Sequence, residues 1–255
     1  MNKKLFWLSI LAVVISFIGG FILANTLNRR ELDELRAEIG RLKTPAPMAD
    51  EKDSQSTLSD EEIRQKIAEA DSNSGNLDFQ KNLAVALYRY STMKQESKWL
   101  PEVTKLLTRV IEKNPKDYNT LISLGDVYFD LAQSAANSDS AETKADQNKN
   151  IEQSREFYRQ ALAMNPNDAQ LQTDFGATFL FANPPDNEKA ITAFQKSLQT
   201  NPKNEKTLEF IAKALLNTGK NAEAQKSIDQ LKTANPKNGA LPDLEKQLSQ
   251  SVKKQ

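Results

Sequence analysis

Asn-Pro recurs four times in this chain, at 114–115, 165–166, 201–202 and 235–236, each time between two apolar helical patterns. Proline has no N–H to donate and its ring clashes with the preceding turn, so it cannot continue a helix. Asn tolerates the turn that ends one. Asp117 and Asp168, two residues beyond their prolines, are placed to cap the helix that follows. The pairs therefore read as punctuation, and the Ala, Leu, Lys, Gln and Glu between them favour helix.

The spacing around the punctuation is constant. Ten residues after Pro115, Pro166 and Pro202 come Gly125, Gly176 and Ala212, small side chains that let two helices approach closely. Apolar residues surround each at helical intervals: Leu121, Leu124 and Tyr128; Phe175 and Phe179; Leu208, Ile211 and Leu215. Upstream, Leu83, Ala84 and Leu87 give the same shape. Read backwards from Pro115, Pro166, Pro202 and Pro236, the positions eight residues earlier hold Leu107, Tyr158, Phe194 and Ile228. Those twelve earlier hold Val103, Ser154, Ala190 and Ala224. Only the turn inside each unit varies. With the shortest turn, Pro202 and Pro236 are 34 residues apart.

A 34-residue period with two helices per unit and this pattern of small and aromatic residues resembles the tetratricopeptide repeat family. The resemblance covers residues 77–236 as four repeats. It implies an all-α, right-handed helical solenoid of about four helix pairs. One helix pair cannot bury its apolar face alone, so stacked pairs need polar outer faces at the ends. Residues 58–76, with a Ser59–Glu62 capping box, and residues 237–255, with Leu241, Leu244 and Leu248 on one side, read as the two capping segments. The sequence departs from the family at the large apolar slot that opens a repeat, where Gln80 and Gln172 stand, and at Ala84 in place of glycine. These departures weaken individual helix contacts.

The resemblance also implies a groove lined by the first helix of each pair, which holds a protein or peptide partner. Its candidate residues here are Lys81, Tyr88 and Arg89; Asp126, Phe129 and Asp130; Phe181; Lys206 and Lys213. Tyr88, Phe129 and Phe181 would anchor apolar side chains, or else pack against neighbouring helices. The Lys-x-x-x-Asn clamp of chaperone-tail binders is broken by Val85 four residues after Lys81. The Trp99-Leu100 pair is either a partner contact or packing under a turn. The longest turn, 134–150, is small and polar and reads as a mobile surface insertion.

Composition removes other classes. Thirty-four basic and 34 acidic residues give no net charge, so no basic surface for nucleic acid is indicated. With no His and no Cys, the usual zinc ligands, Cys nucleophiles and His acid–base schemes are absent. No glycine-rich phosphate loop and no nucleophile–base pair appears. The sequence therefore predicts no enzyme, no metal and no cofactor.

Residues 5–24 are an uncharged apolar run after a four-residue head, long enough to cross a bilayer. A cleavable signal is the competing reading, although Ile22-Leu23-Ala24 is a poor cleavage site. Retained, the run anchors the chain in a bacterial inner membrane as a single pass, with the C-terminal domain periplasmic. Ala12, Ser16, Gly20 and Ala24 form a small-residue stripe, and Leu32, Leu35, Ile39 and Leu42 two heptads within a helical extension, 25–43. Both patterns suit a homodimer; simple composition and an amphipathic extension explain them as well. Residues 44–57 read as a flexible linker. The whole predicts a membrane-anchored scaffold supporting assembly or maturation of envelope proteins, such as cytochrome c biogenesis or chaperoning beside the export channel. The alternative is a self-assembly module with no groove ligand.

Overall fold

The computed structural model describes residues 59–136 and 141–253. The head, the anchor 5–24, the extension 25–43 with its homodimer patterns and the linker 44–57 lie outside the described residues. Among those described there are ten helices and no strand, and no helix is long and apolar enough to cross a membrane. After α1 (Asp60–Ser72) come four pairs: α2 (Leu77–Lys94) with α3 (Leu100–Lys113), α4 (Tyr118–Ala136) with α5 (Ala141–Met164), α6 (Ala169–Leu180) with α7 (Asn187–Thr200), and α8 (Glu205–Asn217) with α9 (Asn221–Ala234). The last helix is α10 (Leu241–Val252). The first helices stand side by side, α2 on α4, α4 on α6 and α6 on α8, while α10 packs on α8 and α9.

Each Asn-Pro pair builds the same turn. The Asn N–H closes the preceding helix, onto the carbonyls of Val110, Ala161, Ser197 and Leu231 in turn. Its own carbonyl accepts from the residue three positions on, Asp117, Asp168, Asn204 or Asn238. Asp117, Asp168 and Asn204 then accept the N–H of Thr120, Leu171 and Thr207 and so cap the next helix. The Asn residues of these turns do not adopt the left-handed conformation. Asn114, Asn201 and Asn235 have φ of −131°, −131° and −148°. A following proline disfavours helical geometry and holds its predecessor extended.

The small positions face the residues eight before the next proline. A Cβ on Gly125 would lie 2.3 Å from the Tyr158 ring, and one on Gly176 would lie 2.5 Å from the Phe194 ring. The two glycines are thus matched to the two large rings. At the equivalent points of the outer repeats, buried Ala84 and Ala212 accompany the smaller Leu107 and Ile228.

The structure corrects two expectations. Gln80 and Gln172 do not weaken their repeats: Gln80 is fully buried, donates to the carbonyls of Ala70 and Asn73 at the end of α1, and accepts from Arg109. Gln172 donates to the Pro166 carbonyl. Nor is 134–150 mainly a loop, because α4 runs to Ala136 and α5 begins at Ala141. The inserted residues lengthen α5, whose Gln147 and Asn148 hold the carbonyls of Phe181 and Asn183 in the next repeat. Trp99 and Leu100 are 5% and 4% exposed, so the pair packs inward.

Candidate functional site

The first helices place their Pro+11 and Pro+15 positions toward one surface. On α4 these are Asp126 and Asp130, one helical turn apart. Together with Tyr88 of α2, Tyr158 of α5, Asp174 and Ala177 of α6, Phe129 and Lys206, they wall a hollow of about 310 Å³. Tyr158 Oη donates to Asp126 Oδ1 at 2.6 Å and Tyr88 Oη to Asp130 Oδ2 at 2.8 Å. Lys206 Nζ bonds Asp174 Oδ1 at 2.9 Å. Burial, and then the neighbouring Asp174 and Asp130 charges against the Tyr158 hydrogen bond, push the Asp126 carboxyl up to about 6. Burial also raises Asp130, and raises the phenols of Tyr88 and Tyr158 well above the ordinary tyrosine range.

Aromatic rings continue the surface. Phe129 meets Phe181 edge-on at 6.0 Å between centroids, and Phe181 meets Phe210 at 5.4 Å. Lys206 and Lys213 each place an ammonium 5.7 Å from the Phe210 ring. A second hollow of about 250 Å³ shares Asp130 and runs along the end of α2, past Ser91, Gln95 and Glu96, to Gln133.

Of the residues predicted from sequence, Tyr88, Asp126, Phe129, Asp130 and Lys206 come together, with Phe181 and Lys213 reached through the ring chain. Lys81 is elsewhere, in a 2.7 Å ion pair with the cap residue Asp117, and Arg89 is exposed outside both hollows. Sequence reasoning missed Asp174 and Phe210. Both sit at Pro+8, between the Pro+4 position of Lys206 and the Pro+11 positions of Asp126 and Lys213 that it used. A groove face on a helix is wider than one stripe, and including Pro+8 would have found both.

Stacked helix pairs with adjoining hollows and a row of aromatic rings on their first helices define a helical-repeat binding protein. Family models of the tetratricopeptide repeat match residues 145–168 and 186–248. Those two segments carry tetratricopeptide repeats, and the fold is that of a tetratricopeptide repeat protein. A crystal structure of MamA is similar over 70% of this chain and 89% of that one, with TM-score 0.53 and 16% identity. A thermophilic TPR protein in Thermus thermophilus is similar over 76% and 90%, at TM-score 0.51 and 16% identity. MamA from Desulfovibrio magneticus RS-1 is similar over 70% and 86%, at 0.54 and 13%. These likenesses concern the fold. No curated protein matches the sequence.

Proposed function

We propose that this protein is a membrane-anchored scaffold whose groove holds a segment of a protein partner. The observation that carries this reading is the run of Phe129, Phe181 and Phe210 beside a polar hollow on one lateral surface. Apolar rings next to a few fixed polar groups are what peptide recognition requires. The apolar run 5–24 would hold the solenoid at a bacterial inner membrane, on the periplasmic side, near envelope proteins under assembly or maturation.

Photocrosslinking in intact membranes tests the groove. A benzophenone amino acid replacing Phe181 in the full chain should capture a discrete partner, and one replacing Lys226 on α9 should not. Equal capture from both positions, or capture only of a second copy of the chain, rejects groove binding and favours the self-assembly alternative. Topology has its own test. The chain has no cysteine, so Ala46→Cys supplies a unique thiol. Labelling by a membrane-impermeant reagent in cells with a permeabilised outer membrane is expected; protection rejects the periplasmic assignment.

A further inference from the structure

The charge and hydrogen-bonding pattern of the groove specifies its ligand further, on the reading just given. Asp126, Asp130 and Asp174 face the larger hollow, and Lys206, paired with Asp174, is the one cation among its described wall residues. Asp126 and Asp130 each accept one tyrosine hydrogen bond, to a single carboxylate oxygen, among the described residues. Three carboxylates share the single Lys206 ammonium, which offsets only part of the cost of burying Asp126 and Asp130, and burial raises both groups. The described residues contain no group of three or more acidic, His or Cys side chains placed to hold a metal ion. The arrangement suits an organic cation.

An independent observation lies next door. The adjoining hollow, joined at Asp130, is walled by Ser91, which is 2% exposed and whose Oγ has no hydrogen-bond partner. Gln133 on the same wall has an unpartnered Nε2. Buried polar groups are paired in folded proteins as a rule, and of the six unpartnered buried side-chain atoms among the described residues these two line the hollow. An amide donor at Gln133 and a hydroxyl at Ser91, close to an acid, match an extended main chain whose carbonyls and N–H groups need partners.

We propose that the groove takes an extended peptide segment bearing a lysine or arginine, its cationic head between Asp126 and Asp130. Its main chain crosses Gln133 and Ser91, and its apolar neighbours lie on Phe129 and Phe181.

Full-length protein in detergent micelles, panned with random dodecapeptides on phage, tests this. Recovered peptides should share a Lys or Arg, and replacing that residue by norleucine should weaken binding at least about tenfold, as expected for a lost buried charge pair. The Asp126→Asn, Asp130→Asn double variant should show the same loss, and Asp229→Asn on α9 none. The asparagines keep an acceptor oxygen for both tyrosines, and thermal unfolding checks that the variant folds; if it does not, Asp130→Asn alone is read the same way. Recovered peptides without a basic residue, or indifferent to the norleucine change, overturn the proposal. If those peptides still lose affinity with Phe129→Ala and Phe181→Ala, the groove reading survives; if they respond to neither pair, both fall.

Discussion

Gly176 is defined by what faces it. The Phe194 ring occupies the space a Cβ would need, at 2.5 Å, and Phe194 is fully buried. Gly176→Ala should therefore destabilise the protein by about 1–3 kcal/mol through overpacking, despite alanine's better helix propensity. Phe194→Leu in the same chain should recover part of that, because the outer repeats already pair alanine with an aliphatic residue. Urea unfolding of the wild type, the single variant and the double variant measures it, and no recovery in the double variant would mean that the contact is not the cause. Asp126 makes the opposite case, a group that destabilises where it stands. Its carboxyl is raised from an ordinary 3.8 to about 6, chiefly by burial. Between those values the folded protein holds a proton that the unfolded chain has lost, so stability falls as pH rises across that window. Asp126→Asn removes this penalty while keeping an acceptor for Tyr158. It should leave stability near pH 4 unchanged and raise it at pH 7.5 by about 1–3 kcal/mol. Equal stability of wild type and variant at both pH values would show that the carboxylate is adequately solvated. The small-residue position was legible because it recurs at one distance from proline. The raised pKa of Asp126 was not, because it arises chiefly from burial within the fold, with a contribution from the Asp174 charge, which lies 48 residues away in the chain.

At the scale of the element, the sequence marks where helices stop more clearly than what lies between them. Asn-Pro marks the stops because proline's covalent geometry acts locally, whatever the tertiary surroundings. The segment 134–150 lacked such a signal and its small polar residues resembled a loop. Its outcome is decided by tertiary contacts that a local pattern does not contain. Asn148 Nδ2 donates to the Asn183 carbonyl at 2.6 Å, and Asn148 Oδ1 accepts the Asn183 N–H at 3.1 Å. Further along α5, Arg155 donates to the Thr178 carbonyl and lies 4.2 Å from the Phe179 ring. The lengthened helix thus braces the α6–α7 turn beside Phe181 of the groove. Asn148→Ala should speed hydrogen exchange at residues 181–186 severalfold, corresponding to loss of about 1 kcal/mol of local protection. The α8–α9 turn, which Asn148 does not touch, should be unaffected. Unchanged exchange at 181–186 would show that the turn is held without the clamp.

Across the whole described domain, the core is segmented rather than single. One buried cluster joins α1 with the first repeat and part of α4, through residues such as Ile63, Leu87, Leu107 and Leu124. A small middle cluster holds Leu121, Tyr158, Ala161 and Leu171. The third runs from Leu180 through α7, α8 and α9 to Leu248 of α10. Stability in such an array is a sum of units and nearest-neighbour interfaces, so damage at one end stays near that end. Leu241, Leu244 and Leu248 are buried against the third cluster, and each contributes about 1.5–3 kcal/mol relative to an exposed leucine. A chain ending at Gly239 loses all three and exposes the outer face of the last repeat. Hydrogen exchange should then show α8 and α9 losing most of their protection while α2 and α3 keep theirs. A uniform loss across all helices would instead establish one cooperative unit. In that case the groove, which spans α2 to α8, could not keep its α4 carboxylates in place once its far end opened.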